Sequence, residues 1–259
     1  MGIQREAILN QKPYLHLGAG RINLPGPRPA HHGLIPEAIY SYPLFWNVDR
    51  NAEPGIDEVV DLFKYPWPWE TSSFDGAVAC HLLEHLPHEI RLADNPFPAD
   101  DRHEFAEWII DNNDTSSGTE NFQDEVKAVQ RYRWKKARAI ELANCQDGWF
   151  AFFAELYRVL TPGALVYILS PYGWSQGAIT DPSHTRLLTE QTFTHSMQPD
   201  PNSPFRYETG GIHFEMENVV FGLTPMFQHL AGHPEMLQNA LQTQINVVYD
   251  FAVTLRVVK

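Results

Sequence analysis

Pro13-Tyr14-Leu15-His16-Leu17-Gly18-Ala19-Gly20-Arg21 decides how the rest of the chain is read. A short apolar run passes straight into a turn carrying two glycines. Glycine lacks a Cβ and takes positive φ freely, so such a turn lets a ligand approach the backbone. Alone, a G-x-G pair also fits any tight turn. Three later stretches raise its weight: Trp46-Asn47-Val48-Asp49, Val59-Val60-Asp61-Leu62 and Phe74-Asp75-Gly76-Ala77-Val78-Ala79-Cys80. Each is an apolar run ending in a small, acidic or polar residue. Together the four read as successive parallel strands, at about 14–18, 44–49, 57–61 and 74–80, delivering side chains to one sheet edge. Near-continuous apolar runs of this kind fit strands buried on both faces.

The chain's 259 residues give room for one large α/β domain or two small ones. With 43% apolar and 12% aromatic residues it has material for a substantial core. No apolar run approaches the roughly 18–20 residues that span a bilayer. The start, Met1 to Glu6, lacks the apolar centre of a signal peptide, and Glu6 stands where a myristoylation signal needs Ser or Thr. The expectation is a soluble, cytoplasmic protein with no membrane partner. Two cysteines, Cys80 and Cys145, are too few for a disulfide framework or a four-cysteine zinc site. Cys80, closing an apolar strand, reads as a small buried hydrophobe. A net charge of −13 argues against a surface that tracks nucleic-acid phosphates, while leaving room for a local basic groove.

Between the first two strands, Pro25, Pro27 and Pro29 cannot continue a helix interior, so the expected crossover helix is displaced, short or absent. Glu37-Ala38-Ile39-Tyr40 offers one or two turns of it. After Pro87 the chain changes character: ten acidic residues face one arginine between Asp94 and Glu125, and Lys127 to Arg138 is strongly basic. This reads as a helical insertion at about 90–146 within a single domain spanning 1–259. Two solvated, pairing faces are its simplest meaning, and a lid or recognition element is the functional alternative. Gly148 to Leu160 carries apolar residues at helical period, Thr161-Pro162-Gly163 stops it, and 164–170 reads as a fifth strand. Thr189 to Phe193 opens a short helix. The stretches 212–221 and 246–258 read as strands that close the sheet edge as an antiparallel hairpin.

Leu15-His16-Leu17-Gly18-Ala19-Gly20, Asn47-Val48-Asp49, Asp61 to Pro68, Ser73-Phe74-Asp75-Gly76, His81-Leu82-Leu83-Glu84-His85-Leu86 and Phe153 to Leu165 carry a further reading by their order and spacing. With them the chain resembles the class I S-adenosylmethionine-dependent methyltransferases, of the type 11-like group. The resemblance implies a Rossmann-like α/β fold: a mostly parallel seven-stranded sheet with helices on both faces, an antiparallel edge strand and a helical insertion after strand four. It implies S-adenosylmethionine as cofactor, with Leu17, Gly18, Ala19 and Gly20 forming the turn against its methionine part. Asp49 would accept hydrogen bonds from the ribose hydroxyls, and Asp61 and Leu62 would flank the adenine. Cys80 and His81 would sit beside the sulfonium. The chain departs from the family pattern at His16, where an acidic residue is common, and in the long interval from Gly20 to Asp49, which leaves Asp57 and Glu58 as substitutes. Asn23 replaces the third glycine of a dinucleotide fingerprint, which weakens a nicotinamide-dependent oxidoreductase reading.

No metal is expected. His81 and His85 stand four apart, but the zinc-protease pattern needs Glu directly after the first His, and position 82 is Leu. Glu84 and His85 read instead as capping or anchoring a helix after strand four. In Asp181-Pro182-Ser183-His184-Thr185-Arg186, His184 either orients or deprotonates a nucleophile or is a packed loop residue beside a turn capped by Asp181. Tyr172 and Trp174 either wall a substrate or cover the sheet. Methyl transfer from a sulfonium is an in-line displacement governed mainly by positioning, so a base is needed only where the acceptor loses a proton. His81 and His184 are the catalytic candidates. The acceptor is left open among small molecules, sugars, protein side chains and nucleotides. A rival reading is a non-catalytic binding module whose pocket is blocked by the segment Pro25 to Gly33.

Overall fold

In the computed structural model the described residues are 12–27, 29, 32–88, 90–91, 145–197 and 212–259. They fall into a unit built from residues up to 87 and from 148 onward, and a second between 88 and 147. In the second, Ile90–Arg91 pairs antiparallel with Cys145–Gln146. The rest of the stretch expected to be a helical insertion, with its acidic and basic runs, lies outside the described residues.

The first unit is organised by a seven-stranded sheet: β1 Tyr14–Leu17, β2 Phe45–Asp49, β3 Glu58–Val59, β4 Phe74–Cys80, β5 Leu160–Pro171, β6 Phe214–Leu223 and β7 Val248–Val257. Its order is β3-β2-β1-β4-β5-β7-β6. Strands β1 to β5 are parallel, and β7 runs antiparallel to both β5 and β6. The sheet is Rossmann-like and mostly parallel, as the resemblance implies, and the antiparallel β6–β7 pair closes one end. The helices are α1 Glu37–Tyr40, α2 Gly148–Val159, α3 Gln176–Thr180, α4 Glu190–Met197 and α5 Pro234–Thr243. α1 is the shortened crossover left by the proline-rich stretch. No helix among the described residues is long and apolar enough to cross a membrane.

Alternation along the strands divides the core in two, because successive side chains point to opposite faces. Ala77 and Ala79 of β4, Val166 and Ile168 of β5, and Val253 and Leu255 of β7 join the larger cluster. Their neighbours Val78, Cys80, Tyr167, Leu169 and Ala252 join the smaller one with Leu24, Ile35 and Tyr40. The larger cluster is covered by α2, whose Trp149, Phe152, Phe153 and Leu156 recur at helical spacing on its buried face. Phe153 meets Trp149, Phe152, Phe193 and Phe214 edge-on or tilted, at centroid distances from 4.8 to 6.4 Å. α2 also fastens the stretch after β3. Glu155 accepts the Trp67 N–H at 2.6 Å and pairs with Arg158, whose guanidinium donates to the carbonyls of Trp67 and Trp69.

The passage from α2 to β5 differs from the expected stop. β5 begins at Leu160, paired with Phe74, and Thr161 to Ala164 then bulge before pairing resumes between Gly76 and Leu165. Gly163, at φ +77°, makes the bulge's reversal. At one edge of the sheet β3 is two residues long, and Glu58 Oε2 accepts from the indoles of Trp46 and Trp69. At the other edge β6 has a register shift between Met216 and Asn218, with Glu217 paired to Arg256.

Phe153 is 1% exposed and touches four aromatic rings, so Phe153→Ala is expected to destabilise the protein by about 3–5 kcal/mol. A denaturant midpoint unchanged from wild type would contradict this packing.

Candidate functional site

Strands β1, β2 and β3 step one way across the sheet and β4 and β5 the other, so the order reverses between β1 and β4. In open α/β sheets that reversal opens a crevice outside the carboxyl ends of the strands. Here it holds a cavity of about 410 Å³. Gly18 follows β1, Asp49 ends β2, Asp61 and Leu62 follow β3, and His81 follows β4, and all five line it. The walls are completed by Arg50, Asn51, Val60, Phe63, Leu82, His85 and Ser183.

The glycine turn is shaped by backbone conformation and by β2. Gly18 and Gly20 have φ of +65° and +55°. A Cβ on Gly18 would meet Leu82 Cδ1 at 3.1 Å, whereas one on Gly20 would meet nothing within 4 Å. The Ala19 N–H donates to the Val48 carbonyl at 3.0 Å, and the Gly20 N–H donates to Asp49 Oδ2 at 2.9 Å. The other carboxylate oxygen, Oδ1, accepts the Asn51 N–H at 2.9 Å. Asp49 is therefore the acidic residue that β2 brings to the turn, despite its distance in sequence. The two substitutes are used elsewhere: Asp57 binds Asn47, and Glu58 binds the two indoles.

Asn47 explains how the long intervening segment is held. Its Oδ1 accepts from the Leu24 N–H at 2.8 Å and from His16 Nδ1 at 3.0 Å, and its Nδ2 donates to the Leu24 carbonyl and to Asp57 Oδ2. All four hydrogen-bonding positions of the amide are filled. His16 is 2% exposed and reaches Asn47 as a donor, so the proton sits on Nδ1 of a neutral ring. Burial drives its pKa down to about 4, outweighing the Asn47 contact and the charge of Asp49.

Leu62 is 5% exposed, and its carbonyl accepts from the Trp67 indole at 3.1 Å. Asp61 accepts the Phe63 N–H and stands 3.4 Å from Lys64 Nζ. Leu17 and Ala19 are buried in the strand end and the turn and do not line the cavity. The Cys80 side chain belongs to the cluster around Tyr40, where burial pushes its thiol up to about 12 and removes it as a nucleophile at neutral pH.

His81 is the first residue beyond β4 and has φ +52°, a left-handed conformation that is uncommon outside glycine. Its N–H donates to the Leu169 carbonyl at 2.8 Å. Its Nδ1 lies 3.4 Å from Glu84 Oε1 and its Nε2 lies 3.9 Å from Asp250 Oδ2. Burial lowers the His81 pKa, but the contact with Glu84 and the charges of Glu84 and Asp250 prevail and hold it above the usual imidazole value. Glu84, 1% exposed, accepts the Ser170 hydroxyl on Oε2 at 2.7 Å. Burial works to raise its pKa, and His81 and Ser170 overcome that and hold it below the usual carboxylate range.

Glu84 and His85 do not cap a helix. They lie in a single 3-10 turn, Leu83–His85, and both point into contacts with residues 170–186. His85 Nδ1 donates to the Ser183 carbonyl at 3.1 Å, and its ring meets that of His184 edge-on at 4.9 Å. His184 itself is outside the cavity lining. Its Nδ1 donates to the Ala178 carbonyl, and its Nε2 lies 3.7 Å from Asp181 Oδ2. Asp181 caps its own turn through the Ser183 N–H and hydroxyl. Tyr172 is 5% exposed against Phe221 and Phe251 and so covers the sheet, and together with Trp174, 52% exposed, it lines a different cavity. Local sequence pattern does not reveal Asn47 as a clamp, His85 and Ser183 as cavity walls, or Ser170 and Asp250 as partners of the β4 turn. Each depends on residues far apart in the chain.

No protein-family model matches the chain, and no curated protein matches it. Solved structures do. A SAM-dependent methyltransferase from Archaeoglobus fulgidus is similar at 12% identity, over 98% of this chain and 91% of that one, with a TM-score of 0.47. One from Mesorhizobium loti is similar at 12% identity over 95% and 91%, with a TM-score of 0.41. A phosphoethanolamine N-methyltransferase 2 from Haemonchus contortus, in complex with phosphomonomethylethanolamine and S-adenosylhomocysteine, is similar at 14% identity over 99% and 52%, with a TM-score of 0.38. These structural neighbours are methyltransferases.

His16 sets a pH limit on the site. Unfolded, its ring takes up a proton near 6.5; folded, only near 4. Above 6.5 both states are neutral and the stability is complete. Between 6.5 and 4 only the unfolded chain binds the proton, so roughly 3 kcal/mol is lost as the pH falls through that window. Urea titrations from pH 7 to pH 4 should show this slope in wild type and a shallower one in His16→Gln. Parallel slopes would contradict the burial of a neutral His16.

Proposed function

We propose that the chain is a methyltransferase that holds S-adenosylmethionine at the carboxyl ends of β1 to β4. The observation that carries this reading is the Asp49 carboxylate, fixed in the cavity wall by the N–H groups of Gly20 and Asn51. An ionised carboxylate offers about four lone-pair positions, and two are used, so two remain for a pair of vicinal hydroxyls such as those of a ribose. The open space beside Gly20 gives the rest of a ligand close access to the turn backbone. Asp61 is placed to accept from an exocyclic amine, and Leu62, Val60 and Phe63 offer the apolar surface that an adenine ring needs. The carboxylates of Asp49 and Asp61 also favour a cationic ligand over a dianionic pyrophosphate. A nicotinamide dinucleotide is further disfavoured at Asn23, whose amide is committed to the Pro54 carbonyl.

The bound cofactor supplies a methyl group already activated for in-line displacement. The chain's own residues then have to place the acceptor and take a proton where the acceptor carries one. His81 suits that role, since it lines the cavity, and the carboxylates of Glu84 and Asp250, at 3.4 and 3.9 Å, stabilise the imidazolium that forms when its ring takes a proton. Ser170 fixes Glu84, and Glu84 fixes His81, so the base is oriented from the strand beneath it. His184 is set back from the cavity and touches its lining through the ring of His85. The acceptor this arrangement suits is one that gives up a proton, a hydroxyl, phenol or amine. The blocked-pocket reading loses its support, since no described residue of 25–33 lines the cavity.

Calorimetry with S-adenosylmethionine and S-adenosylhomocysteine tests the cofactor assignment. Wild type should bind both, and Asp49→Ala should bind roughly tenfold to a hundredfold more weakly, with circular dichroism confirming that it folds. Failure of wild type to bind either ligand sinks the reading. For His81, methyl-labelled cofactor is offered to a panel of hydroxyl, phenol and amine acceptors. Any acceptor labelled by wild type should be labelled about 10²-fold or more slowly by His81→Gln, with S-adenosylhomocysteine affinity nearly unchanged. Equal rates would remove His81 from the chemistry.

A further inference from the structure

The 3-10 turn after β4 and the loop at 181–186 are about 100 residues apart in sequence and are sewn together. The N–H groups of Thr185 and Arg186 both donate to the Glu84 carbonyl, at 2.8 and 3.1 Å. The Thr185 hydroxyl and the Arg186 Nε donate to the Leu86 carbonyl, at 2.7 and 2.8 Å. This stitching brings one ligand atom from each of Glu84, His85 and His184 within 4.8 Å of one another.

Two independent features of the cluster point to a cation. First, both histidines use Nδ1 to donate to a backbone carbonyl, His85 to Ser183 and His184 to Ala178, each at 3.1 Å. That leaves Nε2 of each ring as the lone-pair nitrogen. Metal-binding histidines are commonly fixed in this way, with the second ring nitrogen held by a carbonyl or carboxylate. Secondly, the Glu84 side chain is 2% exposed, and its Oε1 makes no close hydrogen bond among the described residues, its ion-pair partner His81 Nδ1 standing at 3.4 Å. A buried carboxylate oxygen held only by an ion pair at that distance has room for a closer cation.

We propose that Glu84, His85 and His184 form a binding site for a divalent transition-metal ion of the zinc type. Two imidazoles and one carboxylate are borderline donors that suit Zn²⁺, Co²⁺ or Fe²⁺ rather than the all-oxygen shells of Ca²⁺ and Mg²⁺. Bonds of about 2.0–2.2 Å set ligand atoms roughly 3.4 Å apart, so the three side chains close in on the ion as it binds. Three protein ligands leave a fourth position open, the arrangement of reactive rather than purely structural zinc sites. His85 and Ser183 line the cavity, so a water or an acceptor oxygen is the natural fourth ligand. Asp181, with Oδ2 3.7 Å from His184 Nε2, adds negative charge at the rim. The histidine pair is thus not the helical one of His81 and His85; the second histidine comes from the distant loop.

The full-length protein, stripped with a chelator and exchanged into chelator-free buffer, is titrated with ZnSO₄ by calorimetry and with CoCl₂ by visible absorption. Wild type should bind one equivalent of Zn²⁺ tightly and give a four- or five-coordinate Co²⁺ spectrum. His85→Ala and His184→Ala should each weaken that site by about a hundredfold or more, while His229→Ala and His233→Ala, on the exposed surface, should not. Circular dichroism and thermal unfolding of the metal-free variants establish that they fold. Absence of a one-equivalent site in wild type, or equal Zn²⁺ affinity in wild type and both cluster variants, would overturn the assignment. Neither readout depends on methyl transfer, so the metal site and the cofactor reading can fail separately.

Discussion

Asn47 sits at the junction of β1, β2, the segment after the glycine turn and the loop leading to β3, and its amide makes a hydrogen bond in every direction open to it. A buried amide satisfied in this way is specific, because any shift of one partner leaves the others without theirs. His16 supplies the donor from β1 and must stay neutral to do so. Leu24 supplies both a donor and an acceptor, so the chain leaving the glycine turn is pinned at a fixed distance from β2. Asp57 closes the fourth side. The Gly20 N–H then finds Asp49 because both ends of its segment are already anchored. The long interval that separates these two residues in sequence, whose crossover helix is reduced to α1, is thus held together by one side chain.

The parallel half of the fold was legible because its strands are buried on both faces and leave uninterrupted apolar runs. Each of the four expected strands occurs, although β3 is reduced to Glu58–Val59. The helix Gly148–Val159 was legible from its period, since one face alone enters the core. The start of β5 was not, because a bulge at Thr161 to Ala164 obeys the twist of the sheet rather than a local signal. In the site, the residues at strand ends could be read and the residues that hold them could not. Gly18, Asp49, Asp61, Leu62 and His81 follow from position along the chain. Asn47, Ser170, His85 and Ser183 act through partners tens of residues away, and no local pattern marks such partners. Leu17, Ala19 and Cys80 show the converse: a strand end names an address, and only alternation decides which side chains at that address face the crevice.

The turn after β4 has two sides with different chemistry. Towards the glycine turn, His81 faces the space where a ligand would lie, in a backbone conformation that glycine would adopt more readily. Towards β5 and the loop at 181–186, Glu84 and His85 bind residues that belong to the other half of the sheet. Substituents on one side therefore reach the other through a single 3-10 turn of three residues. A charge placed against Glu84 alters the surroundings of His81 directly, because the two side chains share an ion pair.

The way the sheet stops at its two ends has its own consequence. An unpaired strand edge is a template on which another strand can add. At β3 only two residues present a ladder, and the indoles of Trp46 and Trp69 are fastened over Glu58 beside it. At β6 the register shift at Glu217 and the charges of Glu215 and Glu217 interrupt what would otherwise be a long, regular edge. Among the described residues, neither end offers the flat, continuous row of backbone groups on which intermolecular strand pairing builds.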